Sequence, residues 1–279
     1  MDRAATAANA FIAKIASKPL VMGILNVTPD SFSDGGRFNA VDTALAHGRA
    51  MAEAGADIID IGAESTRPGF IPVGEAEEWA RLEPIIAPLL RLGLPLSIDT
   101  SKASIARRAA ALGAALINDV TGLRGDPDMA AAAAESGAAL VIMHHRQGIQ
   151  NQEIDPALDI VADMLGFFET SLGVAEKAGV RHDKIILDPG VGFGKSLRQN
   201  LQALAATNVL RRHFALPVLI GVSRKRFLGA LTGAPTEGRL AATLAANLAA
   251  LARGAAIFRV HDVAEHVAAF KVWTEIAEA

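Results

Sequence analysis

Short apolar runs recur along the chain, each ending abruptly in polar or glycine residues and each followed by apolar positions at helical spacing. The first, residues 20–25, is apolar without alternation, as a parallel strand covered on both faces requires. It stops at Asn26 and opens into a loop bearing Thr28, Asp30, Ser31, Ser33 and Asp34, with Phe32 among them and Gly35-Gly36 as a hinge. The same punctuation predicts further strands at 58–61, 96–98, 115–117, 139–143, 185–187, 217–220 and 256–258. Helices are predicted over 41–54, 75–92 (kinked at Pro84 and Pro88), 102–112, 129–136, 156–178, 197–210, 240–252 and 263–276, with a short helix before the first strand.

Strands alternating with helices throughout, with no strand-only or helix-only half, predict an α/β fold: a single (β/α)8 TIM barrel spanning 1–279 as one domain. A doubly wound open sheet is the competing architecture. The glycine-rich stretch at 192–197 is weak support for it, because it sits late in the chain and no GxGxxG follows the first strand.

Composition narrows the classes. With 51% hydrophobic and 20% charged residues among 279, the chain has ample apolar surface for a core and is not a disordered one. A net charge of −3 without a basic stripe gives no reason to expect nucleic acid. The absence of cysteine excludes disulfides, thiolate chemistry and cysteine-based zinc sites, and is compatible with a reducing cytoplasm. No apolar run is long enough to predict a membrane span.

Chemistry gathers where the strands end: Asn26, the loop with Thr66 and Arg67, Asp99, Asn118, His144, Asp188, the Ser223–Lys225 turn, and Arg259 with His261. In a barrel these positions converge on one rim. A single Asp or Asn there is most simply a helix cap, but eight such ends carrying Asp, Asn, Arg, Lys and His are not explained by capping alone. Asp99, Asn118 and Asp188 offer acceptors and an amide to the N–H edge of a planar heterocycle. Arg67, Arg259 and His261 offer donors and positive charge to phosphate oxygens, and Asn26 can present an oxygen to Mg2+. His47, His182, His213 and His266 read as surface residues. The His144-His145 pair lacks a carboxylate at metal-ligand spacing, and no nucleophile elbow is present.

Taken in order, GILNVTPDSFSDGGRF, GAESTRPG, SIDTSK, INDVTG, LDPGVGFGK, GVSRKRF and RVHDV resemble the motifs of the dihydropteroate synthases over nearly the whole chain. Ala63, where a glycine is usual, and Val191, where a bulkier residue is common, depart from the pattern without removing a functional side chain. The MHHRQG segment varies in that family, so His145 and Arg146 receive no role.

The resemblance implies condensation of 6-hydroxymethyl-7,8-dihydropterin diphosphate with 4-aminobenzoate, giving 7,8-dihydropteroate and diphosphate. This is a folate-pathway reaction of a class targeted by sulfonamides. It implies that Asp99, Asn118, Asp188 and Lys225 bind the pterin, with Met143 and Arg259 against its faces. Asn26, Thr66, Arg67, Arg259 and His261 would hold the diphosphate together with Mg2+. Phe32, Thr66, Pro68, Phe193, Ser223 and Lys225 would shape the aminobenzoate pocket, with Asp34 in the mobile first loop. Asp99, Asp188, Lys225, Arg259 and His261 are the expected catalytic set, in a cytoplasmic homodimer. The loops 32–36 and 66–69 are expected to order around diphosphate and so complete the aminobenzoate pocket. A corrinoid methyltransferase barrel and a non-catalytic pterin-binding paralogue are the rivals. The first has no use for the SFSDGG loop, and the second would be expected to have lost part of a set that this chain keeps.

Overall fold

Each apolar run forms a strand: β1 (Leu20–Asn26), β2 (Ile58–Gly62), β3 (Leu96–Asp99), β4 (Leu116–Asp119), β5 (Ala139–Met143), β6 (Ile185–Asp188), β7 (Leu219–Ile220) and β8 (Ile257–Val260). The computed structural model describes residues 3–27, 37–64, 73–146 and 154–279. Neighbouring strands are parallel in the order β6-β5-β4-β3-β2-β1-β8-β7, and a parallel bridge between Leu187 and Val218 joins the two ends of that order. The sheet is therefore a closed barrel and not an open doubly wound one. Following the register once round from Asn26 returns to the chain with a stagger of about eight residues, the shear of a TIM barrel.

The helices are α1 (Arg3–Ile15), α2 (Arg37–Glu53), α3 (Glu75–Leu90), α4 (Ala103–Leu112), α5 (Met129–Ser136), α6 (Ile160–Lys177), α7 (Leu197–Ala205), α8 (Thr207–Phe214), α9 (Arg226–Thr232), α10 (Leu240–Leu251) and α11 (Val263–Glu278). Two of them differ from the reading by periodicity. The helix expected over 197–210 is two helices meeting at Ala206, where the buried Thr207 hydroxyl donates to the Leu204 carbonyl at 2.8 Å and competes with the backbone ladder. The expected loop after β7 contains α9, seven residues long and ended by Gly233 in the left-handed region. The helix α3 continues past both Pro84 and Pro88. Pro84 lies on its exposed side, where water can satisfy the carbonyl that loses its partner. Among the described residues no helix is long and apolar enough to cross a membrane.

Side chains on alternate strand positions point into the barrel. On that parity the lower positions are apolar: Leu20, Met22, Ile58, Leu116, Ala139, Val141, Ile186, Leu219 and Ile257 form one buried cluster. Ala8 and Phe11 of α1 complete it, so the first helix closes the amino-terminal end of the barrel. A second, larger cluster fills the layer between strands and outer helices. Higher on the same parity the inward positions of six strands turn polar (Asn26, Asp60, Asp99, Asn118, Asp188 and Arg259), while β5 ends in Met143 and β7 runs into Gly221. The apolar floor and the polar mouth are thus the two ends of one alternating pattern.

Candidate active site

Register brings the first members of the mouth together. Asn26 pairs with Gly62, Gly62 with Asp99, and Asp99 with Asn118, making one continuous row across β1 to β4. A side chain at Gly62 would fall between Asn26 and Asp99, whose Oδ1 and Oδ2 lie 3.6 and 3.7 Å from the position of its Cβ. The Asn26 amide makes no hydrogen bond among the described residues.

Arg259 enters this row from β8. Its Nε donates to Asp60 Oδ2 at 2.6 Å and its Nη2 to Asp99 Oδ2 at 2.8 Å. Asn118 Nδ2 donates to the same Asp60 oxygen at 3.2 Å. Asp60 is the member that reading by strand ends missed, since it sits inside a strand and not at its end. The available signal was a carboxylate in the otherwise apolar run of 58–61. Burial pushes the Asp99 carboxyl up to about 7, against the pull of Arg259 and with a further push from Asp60, Glu78 and Asp119.

The other half of the mouth comes from β6 and the turn after β7. Asp188 Oδ1 accepts the Gly190 N–H at 2.7 Å. Asp188 Oδ2, Lys225 Nζ and Arg259 Cβ all lie within 4.0 Å of the point where a Gly221 side chain would start. Burial raises the Asp188 carboxyl, opposed first by Lys225, and burial lowers the Lys225 ammonium to about 8, opposed first by Asp188. Lys225 donates to the Val191 carbonyl, and its Nζ lies 4.6 Å from the centre of the Phe193 ring. Gly192, at φ +90°, makes room for it, because a Cβ there would lie 2.8 Å from Lys225 Cδ.

Ser223 and His261 meet directly: the serine Oγ lies 3.0 Å from His261 Nδ1 and accepts the His261 backbone N–H at 3.2 Å. Between them the backbone is held by Arg224, a non-glycine residue at φ +58°. Its N–H donates to Thr243 Oγ1, its guanidinium pairs with Asp262, and its carbonyl accepts from Arg239. Arg224 therefore points away from the mouth and ties the β7 turn to the β8 exit, which sets the places of Lys225 and His261.

The structure brings together Asn26, Asp99, Asn118, Met143, Asp188, Phe193, Ser223, Lys225, Arg259 and His261 of the expected set. Phe32, Asp34, Thr66, Arg67 and Pro68 lie outside the described residues, as do the loops expected to order around diphosphate. His144 is fully buried behind the mouth, where burial lowers it to about 4, so its Nε2 carries the proton toward Asp163 at 3.0 Å. His266, expected at the surface, is buried: its Nδ1 meets the Asp262 carbonyl and its Nε2 lies 2.9 Å from Asn247 Nδ2. The fold around α10 and α11 decided this, not the helical spacing of α11.

Comparison with known proteins gives the same reading. Residues 22–261 match the family described as pterin binding enzymes. The dihydropteroate synthase of Bacillus subtilis strain 168 is 46% identical over 88% of this chain and 84% of its own. Among solved structures, the Xanthomonas albilineans dihydropteroate synthase with 4-aminobenzoic acid superposes with a TM-score of 0.88 at 45% identity, covering 94% of each chain. The same enzyme in complex with 7,8-dihydropteroate gives 0.84 at 43% identity, over 94% of this chain and 95% of that one.

Proposed function

The chain belongs to the dihydropteroate synthase family, and from that premise we propose how its barrel mouth works. It is a transferase that condenses 6-hydroxymethyl-7,8-dihydropterin diphosphate with 4-aminobenzoate, giving 7,8-dihydropteroate and diphosphate. The observation that carries the assignment of roles is the meeting of buried Asp99 and Asp188 with Lys225 and Arg259 at one end of the barrel.

Asp188 Oδ2 and Asn118 Oδ1 are the acceptors left for the N–H edge of the pterin, since Asp188 Oδ1 and Asn118 Nδ2 are engaged within the protein. Met143 and Arg259 bound the ring. As the C–O bond to diphosphate breaks, positive charge develops on the pterin methylene and spreads into the ring. The carboxylates of Asp99 and Asp188 favour that charge in a site that excludes bulk water. Arg259 and His261, with Thr66 and Arg67, favour the departing anion. The aminobenzoate nitrogen forms the new C–N bond, and the proton it sheds passes to diphosphate or solvent. No protein nucleophile is required. Phe193, Ser223 and Lys225 form the described side of the aminobenzoate pocket, with Phe32, Thr66 and Pro68 assigned to the other.

The residues present fit Mg2+. Asn26 offers an oxygen that no described residue engages, beside the Asp99 carboxylate, and Mg2+ takes few protein oxygens when phosphates supply the rest. Asn26 would hold it, and the ion would neutralise charge on the leaving diphosphate. The family resemblance also supports a cytoplasmic homodimer. Sedimentation equilibrium should then return twice the chain mass of 29.0 kDa, and a single-chain mass would refute the dimer.

The function is tested by diphosphate release. Release from the pterin diphosphate should depend on 4-aminobenzoate and match dihydropteroate formed. Release at the same rate without the arylamine would mean hydrolysis and would overturn the reading.

A further inference from the structure

Asp60 lies in the middle of β2, fully buried, with apolar neighbours on both sides in the chain. A carboxylate there needs a reason, because an unpaired buried charge is costly and a well-packed apolar residue would stabilise the strand more. One of its oxygens takes two hydrogen bonds, from Arg259 Nε and from Asn118 Nδ2. The other is buried without a hydrogen-bond partner. The side chain is thus not placed to satisfy itself, and both of its bonds go to residues of the mouth.

We propose that Asp60 is a positioning residue for the condensation, fixing the amide direction of Asn118 and the plane of the Arg259 guanidinium from beneath the substrate site. The proposal rests on the reading of the mouth given under Proposed function and adds a residue that does not touch substrate.

The first consequence concerns recognition. A carboxylate only accepts, so the Asn118 group facing it is the NH2, and Oδ1 is turned to the other side. The heterocycle therefore meets an acceptor at β4 and must bring an N–H to it. Were residue 60 able to donate, the Asn118 amide could rotate and offer the opposite pattern. The second consequence concerns Arg259. Bonds to carboxylates on two adjacent strands hold its guanidinium across β2 and β3, so it presents its remaining N–H groups in one direction. Asp60 also adds a third carboxylate, with Asp99 and Asp188, to those that act on Arg259, and its negative charge favours a cationic pterin at the moment of bond breaking.

Asp60→Asn tests this, because it keeps the shape and removes the charge. The amide oxygen introduced at position 60 can take the place of Oδ2 and accept from both Arg259 and Asn118, so this variant keeps both bonds and removes the charge that strengthens the hold on Arg259. The expected result is a rise in KM for the pterin diphosphate and in the calorimetric Kd for a pterin of about tenfold, a fall in kcat, and an unchanged KM for 4-aminobenzoate. The pH profile supplies a readout that a merely structural role would not move. Asp99 faces Asp60 on β2, Glu78 on α3, Asp119 on β4, Arg259 on β8 and Lys225 after β7. Removing the Asp60 charge takes away one group that raises Asp99 and leaves Arg259 more fully to it. The acid limb of kcat/KM should then move to lower pH than in the parent enzyme, by about one unit.

Asp60→Ser, which deletes both bonds, is the second variant, with melting temperature and circular dichroism recorded for each. If the parent enzyme condenses the two substrates while every variant that folds matches it in pterin KM and in pH profile, the positioning role is wrong and the function stands. If neither variant folds, Asp60 is a structural residue and the proposal is overturned. If the parent enzyme itself fails to condense them, the functional reading fails first.

Discussion

Gly190→Ala should lower kcat/KM by about a hundredfold and the melting temperature by several degrees. Gly190 sits at φ +63°, where an alanine is strained by about 1–2 kcal/mol before any contact is considered. Its Cβ would then lie 2.1 Å from the His144 carbonyl oxygen, 3.1 Å from the carbonyl carbon and 3.2 Å from Lys195 Nζ. The first two are backbone atoms, so no rotamer change relieves the clash. Either the exit of β5 or the turn after β6 must move by about an ångström, and both carry the site. His144 N–H donates to the Asp188 carbonyl at 2.8 Å, and Asp188 Oδ1 holds the Gly190 N–H. Lys195 further ties the two sides together through the His144 and Gly190 carbonyls. A displacement of that size at a reacting centre typically costs about two orders of magnitude in rate. Gly166→Ala is the control. Apart from the adjoining residues and the backbone of α6 itself, no atom lies within 4 Å of its added Cβ, so it should be neutral or stabilise by about 0.5–1 kcal/mol. Wild-type kinetics in Gly190→Ala would show that the β5 and β6 exits do not constrain the chemistry.

Asp188→Asn should weaken pterin binding by a hundredfold or more, which is larger than the loss of one hydrogen bond. The Gly190 N–H needs an acceptor, and in an amide only the oxygen can serve. The NH2 must then face Lys225 and the N–H edge of the heterocycle, donor against donor. Lys225, whose ammonium burial already lowers to about 8, also loses the anion that most supports its charge, so more of it is neutral at pH 7. Breaking a buried charge pair by removing one partner costs about 3–5 kcal/mol, and 1.4 kcal/mol is a factor of ten. Titration calorimetry with a pterin checks this. Unchanged affinity would remove Asp188 from the pterin site.

Much of this site is legible in the amino-acid sequence. Asp99, Asn118, Asp188 and Arg259 stand at or near the ends of apolar runs, and a barrel sends such ends to one rim. Asp60 was not legible as a member. Its strand is four residues of apolar pattern broken by one carboxylate, and the cation that answers it is 199 positions away on β8. Thr207 carries a weak signal for the break between α7 and α8, but only burial of its hydroxyl makes it compete with the helix. His266 has the same local pattern as a solvent-facing helical residue, and the packing of α10 against α11 is what covers it.

The order of residues by itself determined the strand and helix sequence, the alternation that separates apolar floor from polar mouth, and the motifs that mark the family. Those are local properties: a period of two, a run length, a turn residue at a fixed place. The tertiary structure alone decided which cation meets which carboxylate, that Arg259 is shared between Asp60 and Asp99, and that Asp99 is pushed up to about 7 while Lys225 is drawn down to about 8. Charge interactions and desolvation act through space between groups on different strands, and neither separation nor burial is written in the spacing of residues along a chain.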